Sequence, residues 1–335
     1  MMVEQAIAAV LNRTDFNKVN RVQSLWSGYG EIARYEFVKS SKTGSSNYNS
    51  FIVKQISPPT IINHPKGWAN STSHQRKLNS YKVETEFYKV WAKLCDSHCK
   101  VANFIGDISF ENAGVQSHLI LMEDLDAFGY SLRADALTLE QTRLTLRWLA
   151  NFHAKFVSPN DQVKPCGLWP IGSYWHLATR YDEWLAMEPN KLKYSALFID
   201  NILNNCKYKT LIHGDAKVAN FCYTTNFSDV AAVDFQYVGY SCGVKDVIYL
   251  LGSCLDEESL SHNFTSLVNY YFHQFSQALA KNQPKVDAET IIAEWSSLID
   301  FAWADFERFL AGWSPNHIKR NSFSHKITSR ALAKL

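Results

Sequence analysis

Apolar residues alternate with polar ones in short runs through the first third of the chain, and beyond residue 126 they recur every three to four positions over long stretches. The first period suits half-buried strands, the second amphipathic helices. Residues 1–11 read as a short surface helix, because Glu4 interrupts an apolar run that has no basic start. Residues 21–26 and 32–38 read as strands joined by Ser27-Gly28-Tyr29-Gly30-Glu31, and residues 51–56 as a third strand. Residues 40–50 are polar and rich in Ser, Asn and Gly, as in an exposed loop. Pro58, Pro59, Pro65 and Gly67 exclude regular structure over 58–72, an insertion long enough to suggest a flap or lid. A helix is expected over 73–94, with Val83, Phe87, Val90, Trp91 and Leu94 on one face. Residues 104–110 and 116–122 read as a hairpin completing a small antiparallel sheet, and Glu123-Asp124-Leu125-Asp126 breaks the strand pattern. Helices follow at 138–157, 174–187, 196–206, 244–252, 259–281 and 288–310, with a loop at 165–172 and a basic, Ser-containing tail at the end.

The chemistry concentrates in Leu211-Ile212-His213-Gly214-Asp215-Ala216-Lys217-Val218-Ala219-Asn220-Phe221 and in Val230-Ala231-Ala232-Val233-Asp234-Phe235. Each is an apolar run that delivers polar groups. If the two runs pair as a hairpin, Asp215, Asn220 and Asp234 emerge at one end of it, facing a shared cavity. That set suits phosphoryl transfer. One carboxylate accepts the proton of an attacking hydroxyl, while an amide and a second carboxylate offer the oxygen ligands that magnesium prefers. Lys217 can reach the transferring phosphoryl and balance its charge. Two further features fit. Gly28 and Gly30 allow backbone amides to approach phosphates, although hairpin turns also use glycine for purely conformational reasons. Lys54 lies in an apolar strand, where it either snorkels from an edge or is paired on burial.

The first of these segments resembles the catalytic loop of the protein-kinase-like superfamily, in the His-Gly-Asp variant of aminoglycoside phosphotransferases, choline kinases and the ecdysteroid-kinase-like group. The Asp215-to-Asn220 interval matches that superfamily's catalytic Asp and metal-binding Asn, and Asp234 follows at about the spacing of its second metal-binding Asp. Asp234-Phe235-Gln236 in place of Asp-Phe-Gly, and Gly214 in place of Arg, depart from regulated protein kinases. The resemblance implies an α+β, bilobal protein-kinase-like fold: an N-lobe of small antiparallel sheet and one main helix over 1–121, a hinge at 122–126, and a larger, mostly helical C-lobe over 127–335. It implies ATP and Mg2+ as cofactors, with Lys54 on the nucleotide phosphates, Asn220 and Asp234 on the metal, and adenine against the backbone of Glu123 and Leu125. Helical spacing leaves Glu84 and Glu86 equally placed to pair with Lys54; the phrase Ser80-Tyr81-Lys82-Val83-Glu84 resembles the ecdysteroid-kinase-like group and selects Glu84. His153 is read as a core residue and Asp246 as a structural one, a holder of the loop backbone or an acid favoured by its helix dipole.

Composition narrows the partners. With 46% hydrophobic and 20% charged residues the chain has ample core, and a net charge of +2 gives no reason to expect nucleic acid or a membrane surface. No apolar run approaches the ~20 residues that span a bilayer. Seven scattered cysteines without a secretion signal are expected to be reduced, with the cytoplasm as the compartment, and Cys95-Asp96-Ser97-His98-Cys99 supplies too few well-spaced ligands for structural zinc. Trp295, Trp303, Trp313, Tyr270 and Tyr271 are expected mostly in the core, with one or two available to an acceptor pocket. The acceptor is expected to be a hydroxylated small molecule, since no Ala-Pro-Glu segment follows Asp234. Choline-like amines, steroids and aminoglycosides all stay open. A cage of aromatic rings would favour a cationic acceptor, and the ecdysteroid-kinase-like resemblance favours a bulky hydroxylated metabolite. A kinase fold serving as a nucleotide sensor or scaffold is the alternative.

Overall fold

The alternation of the first strands decides which side of a sheet each residue meets. In the computed structural model, which describes residues 1–38, 49–59, 71–112, 114–159 and 166–335, five strands form one antiparallel sheet. These are β1 (Phe16–Ser24), β2 (Gly30–Phe37), β3 (Ser50–Ile56), β4 (Phe104–Asn112) and β5 (Val115–Glu123), in the order β1-β2-β3-β5-β4. Phe51 and Val53 of β3 join Tyr35, Leu119 and Leu121 on one face, under a helix α1 (Val3–Leu11) that buries Ala6 and Ile7. The expected surface helix is thus the cover of that face. The side-chain period of two then sends Ile52, Lys54 and Ile56 to the other face, toward α2 (Ser71–Glu86). The loop expected at 40–50 and the flap expected at 58–72 fall largely outside the described residues.

The helix expected over 73–94 changes character part-way. A π turn over Phe87–Trp91 follows α2, and its extra residue rotates the downstream face, so Val90 and Leu94 are exposed rather than packed. Beyond Glu123 the chain enters a helical lobe. Its frame is α3 (Leu139–Phe156), α4 (Tyr181–Ala186) and α5 (Lys191–Asn204), then α6 (Val244–Cys254), α7 (Glu257–Asn282), α8 (Ala288–Trp313) and α9 (Ser322–Ala333). α3 starts sharply because Thr138 and Gln141 satisfy each other's backbone N–H groups. The expected tail is α9 instead. Asn321 caps it, Phe323, Ile327 and Ala331 pack one helical turn apart, and Arg330 and Lys334 pair with Asp300 of α8.

Five short strands lie between the helices: β6 (Ser158–Pro159), β7 (Tyr208–Ile212), β8 (Phe221–Tyr223), β9 (Val230–Ala232) and β10 (Gly239–Ser241). The runs at 211–212 and 230–233 do not pair with each other as expected. β7 lies between β6 and β10, and β9 pairs with β8. The turn over 224–229 is short enough to bring β8 back on β9, leaving β7 to the strand that arrives later. Among the described residues no helix is long and apolar enough to cross a membrane, and all seven cysteines are free.

Candidate active site

The loop between β7 and β8 is held from below by buried polar groups. Asp246, in the first turn of α6, accepts from the backbone N–H groups of His213 (2.6 Å) and Gly214 (3.0 Å). His153 of α3 donates Nε2–H to the same carboxylate (3.2 Å), and the Tyr271 hydroxyl donates to His153 Nδ1 (2.8 Å). His153 is therefore the core residue it was read to be, with a positioning duty. Gly214 has φ +77°, and a Cβ there would stand 2.0 Å from the Tyr237 carbonyl oxygen. The arginine common at this place in protein kinases has no room. His213 donates Nε2–H to the Val233 carbonyl (2.9 Å), so its Nδ1 accepts from the Asp215 N–H (3.3 Å).

With its backbone fixed, the loop presents Asp215 and Asn220 to a cleft. The Asn220 amide donates to the Asp215 carbonyl (2.8 Å) and to Asp215 Oδ2 (3.0 Å). Lys217 Nζ lies 3.1 Å from the same Oδ2. Asp215 holds the Lys217 ammonium above its ordinary range despite burial. Asp215 Oδ1 carries neither of these bonds.

Across the cleft, Lys54 is 2% exposed and Glu84 1%. Lys54 Nζ lies 2.6 and 2.8 Å from the two Glu84 carboxylate oxygens, and 3.1 Å from Asp234 Oδ1. Glu84 is thus the α2 acid that meets the strand lysine, whereas Glu86 lies beneath Gly167. One ammonium serves two acids with opposite results. Burial pushes the Glu84 carboxyl up to about 7, against the pull of Lys54. Burial also opposes charge on Asp234, yet Lys54, Lys77 and Lys217 together hold it well below the usual carboxylate range. Phe235 stacks on Phe87 with ring centroids 3.8 Å apart, which locks Asp234 against the π turn that follows α2.

Lys54, Glu84, Asp215, Lys217, Asn220 and Asp234 line one cavity of about 830 Å³. Leu25, Ile32, Ile52, Met122, Leu125 and Val233 make one end of it aliphatic. Glu123 lines it too, but its carboxylate is buried and taken by Lys100 (2.6 Å) and Asn103, and its N–H goes to the Asn103 carbonyl (2.9 Å). Trp26, Ser27 and Tyr29 of the glycine turn reach the cavity. Gly28 closes that turn, and Gly30 sits in β2 where a Cβ would strike the Gln55 carbonyl oxygen at 2.0 Å. Neither glycine is in the lining. Trp313 is, while Trp295, Trp303 and Tyr271 are core.

Sequence reasoning passed over Gln236, Lys77 and Arg76. Gln236 bonds Asp234 through its amide nitrogen and takes Lys77 (2.8 Å) and Ser80 (3.2 Å) on its oxygen. Lys77 precedes Glu84 by seven positions, two helical turns on the same face, and that spacing was readable.

The residues fit a magnesium nucleotide. Asn220 spends its amide nitrogen on Asp215 and keeps its oxygen, and Asp234 spends Oδ1 on Lys54 and Gln236 and keeps Oδ2. Two hard oxygens are few for a cation cage, and among the described residues no cluster of three acidic, His or Cys side chains forms one. Magnesium characteristically takes one or two protein oxygens and completes its shell with phosphates and water.

The fold has solved counterparts. A choline kinase from Cryptosporidium parvum Iowa II superposes with a TM-score of 0.52 at 10% identity, over 97% of this chain and 90% of that one. A microcompartment-associated aminopropanol kinase superposes with a TM-score of 0.50 at 14% identity, over 99% and 97%. At these identities the likeness establishes a kinase-like fold. No curated protein matches the chain in sequence. The pattern of the ecdysteroid kinase-like family matches residues 30–158 and 175–283, and the chain belongs to that family.

Proposed function

We propose that this protein is an ATP- and magnesium-dependent kinase that transfers the γ-phosphoryl group to a hydroxyl of a small metabolite. The observation that carries this reading is the convergence on one cavity of Lys54, shared by Glu84 and Asp234, with Asp215 and Asn220 opposite. Adenine lies in the aliphatic end, meeting the Glu123 carbonyl and the Leu125 N–H, since the Glu123 N–H is already given to Asn103. The span 122–126 is the hinge between an N-lobe ending at 121 and a C-lobe beginning at 127. The turn that Gly28 and Gly30 permit closes over the phosphates, and Lys54, oriented by Glu84, holds them.

Asn220 and Asp234 hold the magnesium ion, which neutralises charge on the phosphate oxygens when bound. Asp215 accepts the proton of the acceptor hydroxyl as its oxygen forms a bond to the γ-phosphorus. The bond from that phosphorus to the bridging oxygen breaks, and ADP leaves with the electron pair. Lys217 balances charge on the phosphoryl in transit. Little covalent chemistry falls to the protein, so positioning and charge stabilisation supply most of the acceleration. The aromatic end of the cavity favours a bulky, ring-bearing acceptor. The free cysteines accord with a cytoplasmic setting.

Replacing Asp215 by Asn tests the assignment. ADP release with an acceptor should fall by roughly 10²–10⁴-fold while AMP-PNP still binds. Wild-type turnover by that variant refutes the proton-acceptor role.

A further inference from the structure

Past Asp215 the cavity wall turns aromatic and cationic. Tyr174 meets Phe309 edge-on at 5.2 Å, and Phe309 stacks on Trp313 at 5.6 Å. Over these rings lies Arg180, its guanidinium carbon 5.5 Å from the Tyr174 centroid and 5.3 Å from that of Phe309. From the other side of the cleft α2 brings Arg76, which donates to the carbonyl of Thr179, the residue just before Arg180. Both arginines line the cavity.

Their protein bonds leave capacity. Arg180 gives Nε to the Tyr174 carbonyl (2.7 Å) and one nitrogen to Glu183 (3.0 Å), and its remaining nitrogen bonds no described residue. Among the described residues Arg76 hydrogen-bonds only to neutral groups, the Thr179 carbonyl and the Ser73 hydroxyl (3.3 Å), while Glu183 and Asp182 act on it without a direct bond. Lys217 and Lys319 add positive charge nearby, Lys319 lying 5.4 Å from the Tyr249 ring centroid. Among the described residues the acids facing this region are Asp182, Glu183, Asp215 and, toward Lys217, Asp234, which takes Lys54 and Gln236. Glu183 is buried against Arg180, Asp215 already takes Lys217 and Asn220, and Asp182 is likewise engaged. Burial and the facing Arg180 pull Arg76 below the ordinary guanidinium range, as expected for two like charges brought together out of water. Such a pair is costly until an anion joins it, and the guanidinium fork matches oxyacid geometry.

We infer that the acceptor is an anionic hydroxyl compound: a ring-bearing body on Tyr174 and Trp313, an oxyacid group between Arg76 and Arg180, and a hydroxyl reaching Asp215. An amine in the same place meets the Arg76 and Arg180 guanidiniums. This inference rests on the phosphotransfer reading for the hydroxyl, but its charge requirement is tested by binding alone.

Matched triples of hydroxylated aryl and alicyclic compounds, differing only in a carboxylate, a carboxamide or an amine, are titrated calorimetrically into the full chain with magnesium and AMP-PNP. Sulfate and phosphate analogues of the tightest scaffold rank the oxyacids. The carboxylate should bind tightest and the amine weakest, about tenfold or more apart, the scale of one charge-assisted bond. Arg76→Gln should flatten the ranking, Arg76→Lys should restore part of it, and the affinity for AMP-PNP should not change. Equal affinities, a preference for the amine, or no binding by any triple overturns the inference. A loss of AMP-PNP affinity in Arg76→Gln does so too, because it assigns the guanidinium to the triphosphate. If the ranking holds while no member releases ADP from ATP, the kinase reading fails and the anionic site stands.

Discussion

Replacing Glu84 by Gln removes one charge and almost no volume from the point where the two lobes meet. Lys54 then keeps a neutral acceptor on α2 and a full carboxylate only in Asp234, 3.1 Å away. The charge-assisted bonds to Glu84 orient the Lys54 ammonium, and such a bond is worth about 1.5–3 kcal/mol. Here Asp234 compensates part of that, so about 2 kcal/mol of nucleotide positioning should be lost, roughly 30-fold in kcat/KM for ATP. Stability should move differently. The Glu84 carboxyl is raised from 4.5 to about 7 in the folded protein. Its titration therefore favours the fold most below pH 4.5, and that contribution is lost as pH rises through 7. The glutamine cannot lose a proton and escapes that loss, so the variant should melt no lower than wild type at pH 8. Activity has the opposite pH sense, since only charged Glu84 holds Lys54 as an ion pair. Wild-type kcat/KM for ATP, which reports the free enzyme, should fall as pH drops through about 7. The variant should lack that limb. Steady-state ADP release from pH 5.5 to 9, with a melting curve at each end, measures both quantities. A glutamine variant with wild-type kcat/KM and an unchanged acid limb refutes the reasoning.

Asp234→Ala should abolish the magnesium-dependent part of AMP-PNP binding in calorimetry with and without the ion; unchanged affinity in magnesium counts against a metal role. Gly214→Ala forces a Cβ to within 2.0 Å of the Tyr237 carbonyl oxygen in a left-handed backbone. The conformation alone costs roughly 1–2 kcal/mol, so the denaturation midpoint and turnover should both drop, and an unaltered variant shows that the loop accommodates a side chain. Ile327→Ala, at a position 2% exposed in α9, should cost about 2–5 kcal/mol in urea denaturation with kcat preserved below the melting range; loss of kcat would make α9 part of the site.

How much of this was legible in the sequence varies with how local the cause is. The period of two along β3 already sends Lys54 to one face with Ile52 and Ile56, and neighbouring strands decide only what that face meets. The loop residues were legible because Asp215, Lys217 and Asn220 are close in sequence. The partner of β7 was not: β8, β9 and β10 have three residues each, too few to carry a period, so their pairing is set by turn length and arrival order. α9 was hidden by its Ser and basic residues, although Phe323, Ile327 and Ala331 keep a spacing of four. Periodicity could not separate Glu84 from Glu86 because both border the same apolar face; the resemblance selected Glu84, and in the fold the choice is made by β3, 30 residues earlier in the sequence. Arg76 and Arg180 carry no local signal; only the approach of α2 to the turn at Thr179 and Arg180 gives them a common cavity.

His213 and Asp215 can also be read as nothing more than the cap of a turn. On that reading their polar atoms are consumed in holding the backbone, and here the bonds are otherwise distributed. The N–H groups of His213 and Gly214 go to Asp246, which His153 and Tyr271 hold in turn. The Asp215 N–H goes to His213, and the β9 end is tied by the Val233 N–H to the Asn220 carbonyl (2.9 Å). Side chains from α3, α6 and α7 thus do the structural work, at full burial. Asp215 Oδ1, the Asn220 side-chain oxygen and Asp234 Oδ2 take none of these bonds. Their owners line the cavity, and Asp234 pays for its place with φ +68°, a conformation that most side chains avoid. Oxygens that the backbone of the loop does not consume, with Tyr249 as a further side-chain neighbour of Asp215, on a backbone fixed before any ligand arrives, are what electrostatic preorganisation requires and what a capped turn has no use for.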